Sequence, residues 1–314
     1  MTTRPEIFYD GYWYCYANST AMLLASIGET VSPRLIEALS GVGLGAFQTP
    51  NGLPFFSGFA GLPDHGISAA LDMLGFRYEE TSFDQAEPDP IDRLPALLER
   101  SAVILGPLDM QHLTYNPLRP PFPGVDHFVL ALSMQDDRVR LHDPAGFAHA
   151  LIGRDDLKAA WRADSIVYKR GHYRSWSQPL RIRDVSQSEL RQRALAFFRG
   201  LYAGAENLAQ QHKAKIDGAL IRDWAQTMAR NGFDGAQLGH LTRFALPLGA
   251  KRAMDYASFF ADFLPTLSGI KQTQAREFGA CHSHVVAGNW RAAADTLERL
   301  ADIEDQIGAQ LRAA

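Results

Sequence analysis

Residues 9–28 read YDGYWYCYANSTAMLLASIG. How this stretch is read decides the fold of the N-terminal half. Asp10 and Gly11 are loop formers, whereas Ala17, Ala21, Met22, Leu23, Leu24 and Ile27 have the spacing of a helix that Gly28 can end. Cys15 falls at the junction, in the first helical turn. Unpaired N–H groups there form the positive end of the helix dipole, which favours a thiolate over a thiol. A cysteine so placed, with a histidine elsewhere in the chain, is the sequence form of a thiol nucleophile. The plainer alternative is a small buried hydrophobe.

The 314 residues around this stretch allow two domains, or one large one, with ample material for a core. A composition of 46% hydrophobic and 21% charged residues is ordinary for a soluble globular protein. The net charge of −4 and the lack of a basic stripe argue against nucleic-acid binding. The opening MTTRPEIFYDG lacks the apolar core of a secretory signal, and no apolar run is long enough to span a bilayer. The expectation is a cytoplasmic protein whose two cysteines, Cys15 and Cys281, are reduced.

After the first helix, residues 30–41 read as a second one, capped by Ser32 with Pro33 in its first turn. Residues 41–66 form a long Gly/Pro/Phe-rich loop. Its Phe47, Phe55, Phe56 and Phe59 either cover an apolar ligand or pack over the core. A helix over 67–74, a strand over 76–83, an acidic Pro-bearing linker, a helix over 91–99 and a strand over 102–105 follow. Residues 108–115 continue extended, and the prolines of 116–124 make a stiff connection.

The second diagnostic segment is 125–146, VDHFVLALSMQDDRVRLHDPAG. Two strand-like runs flank the turn residues Gln135, Asp136 and Asp137, which reads as an antiparallel hairpin. His127 opens the first strand and Asp143 closes the second, so folding the ribbon brings a carboxylate beside an imidazole. A carboxylate on one ring nitrogen fixes the tautomer and leaves the other nitrogen for a thiol. Taken alone, these are ordinary strand-end residues; joined to Cys15 they make a nucleophile, a base and an orienting acid. A helix over 153–161, a short strand over 165–168 and a boundary at HYRSWSQPL, residues 172–180, complete this half. From residue 186 onward the pattern is helical, over 186–203, 205–215, 218–231, 234–245, 250–264, 267–287 and 289–312, with Asn289 as a cap for the last. The expected architecture is α+β: a papain-like domain over 1–180, with the Cys15 helix packed on an antiparallel sheet carrying His127 and Asp143, then an all-α domain over 181–314.

Residues 1–180 resemble the N-terminal domain of the butirosin-biosynthesis H-type acyltransferases, relatives of the papain-like bacteriocin-processing peptidases. The resemblance is carried by CYANSTAMLLASIG from Cys15, by ILGPLDMQHLTYNP with Asp109 and Tyr115, and by the segment holding His127 and Asp143. It implies acyl transfer, through an acyl-Cys15, from a carrier-protein or coenzyme A thioester to an amine or hydroxyl in secondary metabolism. No bound cofactor is implied, and the partners are the thioester donor and a small acceptor, with a homo-oligomer left open. The peptidase relatives carry a glutamine about six residues before the thiol, whereas this chain has Phe8, Tyr9 and Asp10 there. An oxyanion needs preorganised donors. The Cys15 backbone N–H and the side chains of Tyr9, Tyr12 and Asn18 are candidates, and Asp109 is a candidate for the site lining by resemblance.

The remaining candidates are weaker. His112 is a rival base, though a mid-strand histidine is more often structural, and Asp126 should point away from its neighbour His127. Cys281, His282 and His284 suggest a metal cluster, but on a helix His282 turns away from the other two, and no second cluster completes four ligands. No metal is expected. Arg181, Arg183, Arg191 and Arg193 could meet an acidic carrier protein or a coenzyme A phosphate, and are also what a solvated face looks like. The leading expectation is a cysteine acyltransferase. The alternatives are a papain-like hydrolase, either peptidase or thioesterase, and a non-catalytic binding module.

Overall fold

The structure, a computed structural model, describes residues 6–83 and 89–314, without the Tyr12 side chain. The expected acidic linker after residue 83 lies outside the described residues. Two compact units are present, and both are discontinuous: Met1–Ile36 with Pro63–Val185, and Glu37–Leu62 with Ser186–Ala314. Coarsely, an α+β region precedes a largely helical one.

The first unit opens with α1 (Cys15–Ala25) and the start of α2 (Pro33–Ser40). The Phe-rich strands β1 (Phe47–Gln48) and β2 (Pro54–Phe55) belong to the other unit. The α+β unit resumes with α3 (Pro63–Met73), β3 (Phe76–Phe83), α4 (Pro90–Arg100), β4 (Val103–Asp109), β5 (Asp126–Gln135), β6 (Arg138–Asp143), β7 (Phe147–Gly153), α5 (Arg154–Arg162) and β8 (His172–Arg181). Six strands form one antiparallel sheet in the order β3-β8-β4-β5-β6-β7. Ile91, Leu94 and Leu98 of α4 and Leu157 and Trp161 of α5 pack with Val103, Leu105, Val129, Ala131, Val139 and Leu141 of the strands. Every residue of α1 is buried. Its Ser19 hydroxyl donates to the Phe128 carbonyl at 3.1 Å, and its Tyr16 ring meets Phe128 edge-on at 6.0 Å, which fixes the helix against β5.

The hairpin forms as its alternation predicts, with Leu130 opposite His142 and Gln135 opposite Arg138. Two expectations fail. The supposed boundary 172–180 is β8, an interior strand between β3 and β4, and 165–168 is a run of turns rather than a strand. β8 has Ser175, Trp176 and Ser177 almost fully buried. It satisfies its polar groups through neighbours: Ser175 Oγ lies 2.9 Å from Thr81 Oγ1, and Trp176 Nε1 donates to Ser68 Oγ at 3.0 Å. Tyr173 and Gln178 take positive φ of 52° within the strand, whose pairing with β3 is irregular in register.

The second unit holds α6 (Gln187–His212), α7 (Asp217–Ala229), α8 (Gly235–His240), a π-turn at Leu241–Ala245, α9 (Leu246–Phe260), α10 (Pro265–Val286) and α11 (Trp290–Ala313). α6 runs unbroken through Gly204, where two helices were expected, because its buried face continues from Leu201 and Tyr202 to Ala205 and Ala209. Asn289 makes no side-chain cap to α11. The Phe-rich segment is packing material here: Phe56 meets Trp224 at 5.4 Å and Phe278 at 4.6 Å, and Phe47 stacks on Phe55 at 5.1 Å. A polar seam crosses this core. Arg252 Nε donates to Glu37 Oε1 at 2.7 Å; Lys271 Nζ donates to Gln274 Oε1, and Gln274 Nε2 to Glu304 Oε2, both at 3.0 Å. Among the described residues no helix is long and apolar enough to cross a membrane.

Candidate active site

The start of α1 is stapled to the end of β6 by one glycine. Gly11 N–H donates to the Pro144 carbonyl at 2.8 Å, and the Gly11 carbonyl accepts from Asn18 Nδ2 at 3.0 Å. A Cβ at position 11 would sit 2.6 Å from Asn18 Nδ2, so any larger residue would displace the Asn18 amide. Because Pro144 follows Asp143, this staple fixes the first turn of α1, and with it Cys15, relative to the Asp143 carboxylate. The Asn18 side chain is thereby committed to the loop.

His127 opens the interior end of β5 and is 2% exposed; Asp143 is fully buried at the end of β6. His127 Nε2 lies 2.5 Å from Asp143 Oδ1. The same oxygen accepts the Ala145 backbone N–H at 2.7 Å, and Oδ2 accepts the Tyr115 hydroxyl at 2.8 Å. Nε2 is engaged by Asp143, and Cys15 is near enough to act on the same imidazole. Burial opposes a charged ring at His127, but the Asp143 carboxylate and then Cys15 outweigh it and hold its pKa well above the ordinary value. Burial likewise opposes the Asp143 charge, and the His127 ring, the Ala145 N–H and the Tyr115 hydroxyl outweigh it, leaving that carboxyl below its usual range. The two shifts favour a protonated ring beside an ionised carboxyl. The N-cap residue Tyr14 makes no side-chain cap, and a 3-10 turn, Tyr12–Tyr14, leads directly into α1.

The other sequence candidates sit as follows. Asp109 is 3% exposed, and its oxygens accept from Gln111 N–H at 3.0 Å, from Gly124 N–H at 3.1 Å and from the Ser165 hydroxyl. It ties the 116–124 connection to the turns after α5. His112 lies on a 3-10 turn, Met110–His112, rather than mid-strand. Asp126 diverges from His127 as alternation requires, and accepts the Tyr168 hydroxyl at 2.6 Å. Tyr9 is half-buried, and the Tyr12 side chain lies outside the described residues.

Two features near the thiol have no signal in the sequence. The Tyr168 phenol is held well above its ordinary pKa by burial first, then by Asp126, Asp64 and Cys15, which places it in the electrostatic neighbourhood of the thiol. Behind it, the buried Asp64 carboxylate accepts from Arg170 Nε at 2.8 Å, and Arg170 and Arg174 both reach Glu80. These residues come from α3, β3 and the edge of β8, and only the tertiary fold assembles them.

A second polar cluster joins Glu6, His142 and His149, whose ligand-type atoms lie within 4.8 Å of one another. Its chemistry does not suit a metal. His142 Nδ1 accepts the His149 backbone N–H at 3.1 Å, which puts the ring's single proton on Nε2. Burial and then His149 lower the His142 pKa, so the ring stays neutral with that one proton. Neither nitrogen then offers a lone pair to a cation. Around the other expected cluster, Cys281 donates to the Ala293 carbonyl across 3.8 Å and burial pushes its thiol up to about 12, while His282 pairs with the Thr242 carbonyl at 3.0 Å. Among the arginines expected to face a carrier, Arg181 is bound to both oxygens of Glu29 at 2.7 Å, Arg191 to Asp262 at 3.1 Å and Arg193 to Glu189 at 3.2 Å.

Comparison with known proteins adds the following. The model of the YobF C-terminal domain matches residues 203–312. The Bacillus subtilis (strain 168) protein described as "Uncharacterized protein YobF" is 39% identical over 303 residues, which is 95% of this chain and 95% of that protein. The peptidase domain of Streptococcus ComA, a bifunctional ABC transporter involved in a quorum-sensing pathway, aligns over 55% of this chain and 95% of its own length at 12% identity, with a TM-score of 0.35. That score is too low to speak for the fold. The full-length match corrects the resemblance to the butirosin H-type acyltransferases: kinship runs through both units to YobF instead. The motifs that suggested otherwise are a helix bearing a thiol and a hairpin ending in histidine and aspartate. Such segments follow from local propensity and do not identify a family.

Proposed function

The chain belongs to the YobF family, and from the geometry around Cys15 we propose that it is a cysteine-dependent hydrolase acting on a carboxylic acid derivative through an acyl-Cys15 intermediate. One observation supports the reading: a buried His127–Asp143 pair at 2.5 Å whose ring is also influenced by Cys15, at the start of a helix. A buried cysteine with no chemical task needs neither a charged imidazole nor a buried carboxylate, both of which are costly to desolvate.

In the proposed reaction the Cys15 proton resides on His127. The thiolate adds to the substrate carbonyl carbon, and the oxygen takes up the negative charge. Backbone N–H groups at the start of α1 are the proposed donors to that oxygen. As the tetrahedral species collapses, the bond to the leaving group breaks and the leaving group takes the His127 proton. Water then attacks acyl-Cys15, gives one proton to His127, and releases the acid while sulfur departs as thiolate. Asp143 keeps the ring oriented and compensates its charge throughout. If an amine or hydroxyl replaces water in the second half, the same residues perform acyl transfer, with a coenzyme A or carrier-protein thioester as one donor class.

The test is intact-protein mass after exposure to p-nitrophenyl esters, aminoacyl amides and acyl thioesters, with and without added amines. The expected result is an acyl adduct on the wild-type chain that is lost in Cys15→Ala, with free acid as the product. An adduct that survives in Cys15→Ala, or a Cys15 thiol that alkylates no faster than a simple thiol at pH 6, refutes the reading.

A further inference from the structure

We propose that Tyr115 is a positioning residue for this site: its hydroxyl locks the Asp143 carboxylate in the one orientation that presents Oδ1 to His127. The inference rests on the reading of Cys15, His127 and Asp143 as the reacting group.

Asp143 has two oxygens, and rotation about its terminal torsion is soft. Oδ1 accepts His127 Nε2 at 2.5 Å and the Ala145 N–H at 2.7 Å. Those two bonds hold one oxygen and leave the group free to pivot about it. The Tyr115 bond at 2.8 Å, on Oδ2, removes that pivot. The phenol is a suitable lock because it remains a donor. Burial first, and then the Asp143 charge, hold the Tyr115 pKa well above its ordinary value, so the hydroxyl keeps its proton wherever the site works. The ring is braced edge-on against Phe147 at 5.8 Å, at the start of the strand after Asp143. The titratable groups facing Asp143 are His127 and Tyr115, with Cys15 beyond the imidazole. Any effect of Tyr115 on the thiol must therefore pass through Asp143 and His127.

The sequence offers no cue to this role, since Tyr115 lies 28 positions before Asp143 on an irregular connection. Losing a hydrogen bond to an ionised group costs about 1.5–3 kcal/mol, and each 1.36 kcal/mol equals one pKa unit. Tyr115→Phe keeps the ring and its packing on Phe147 and removes only the lock.

Two measurements are made on the full chain. The first is the pH titration of the His127 imidazole nitrogens by NMR. The second is the pH profile of Cys15 alkylation by iodoacetamide. In Tyr115→Phe, Asp143 takes up a proton more readily, so the acid limb of the alkylation profile moves up by about one pH unit. The downfield His127 Nε2 proton signal broadens or shifts. Phe147→Leu, which loosens the brace but keeps the hydroxyl, leaves the acid limb within 0.3 units, as a check on general loosening. A Tyr115→Phe chain with an unchanged His127 signal and an unchanged acid limb overturns the inference. The NMR readout judges Tyr115 whether or not the thiol reacts, whereas acyl-Cys15 formation in the wild type judges the function, so the two failures are distinct.

Discussion

Replacing Asp143 with asparagine isolates the part of the site that is electrostatic. Asparagine is nearly isosteric, its oxygen can still accept from His127 Nε2 and the Ala145 N–H, and its amide can meet Tyr115. What disappears is one negative charge 2.5 Å from a ring that is 2% exposed. Coulomb's law at an effective dielectric of about 20 gives roughly 7 kcal/mol for unit charges at that separation, an upper bound on what the imidazolium loses. If a third of it is felt, about 2 kcal/mol, the population of protonated His127 falls roughly thirtyfold, at 1.36 kcal/mol per factor of ten. Burial, which opposes the charged ring, is then no longer overridden. The assay is the second-order rate of Cys15 alkylation at pH 6, beside kcat/KM on whichever ester or thioester acylates the wild type. Asp143→Asn should lower both roughly thirtyfold while circular dichroism is unchanged. A folded Asp143→Asn chain that alkylates within threefold of wild type would show that the carboxylate does not sustain the thiolate, and the charge argument would be wrong.

Gly11→Ala brings a methyl to 2.6 Å from Asn18 Nδ2, so the staple must open. It should cost about 1–3 kcal/mol in urea denaturation and slow Cys15 alkylation, and wild-type values in both assays would refute the staple. Lys271 is 1% exposed, and burial lowers its pKa from 10.5 to about 8. Between pH 8 and 10.5 the unfolded chain therefore binds the extra proton, and this group's contribution to stability rises with pH, its burial cost being complete below pH 8. Lys271→Met should accordingly raise the urea midpoint at pH 7 more than at pH 10, and an equal gain at both would reject the assignment. Cys281→Ser puts a hydroxyl where burial already pushes the thiol up to about 12. It should destabilise by about 1–3 kcal/mol yet leave acylation untouched, as mass spectrometry and the ester assay can check.

Much of the site was written locally. The helix after Cys15 and the hairpin from His127 to Asp143 follow from periods of 3.6 and 2, and a ribbon that folds at Asp136 has no choice but to bring its ends together. What local pattern could not supply was anything set by distant partners. β8 reads as a linker because Ser175, Ser177 and Pro179 have low strand propensity; it is a strand because Thr81, Ser68 and Ser101 satisfy its polar groups. Phe56 could have faced a ligand or a core, and only the positions of Trp224 and Phe278 decide for the core. Tyr168 carries no motif at all, and nothing in the segment that holds Tyr115 points to Asp143. The kinship was misread for the converse reason: local geometry recurs in unrelated chains, so segments that predict a hairpin correctly can still name the wrong relatives.

The interleaving of the two units has a consequence for biosynthesis. Residues 37–62 leave the ribosome early, yet Glu37 is fully buried on Arg252, and Phe56 packs on Trp224 and Phe278. The nascent chain must carry an unsatisfied carboxylate and a cluster of phenylalanines until the last helices are synthesised, while the sheet has all its strands by residue 181. The helical half cannot finish folding before α11 has been synthesised. A fragment limited to residues 203–312, the span matched by the C-terminal family model, would lack α6 residues, Glu37 and Phe56 that its own core requires.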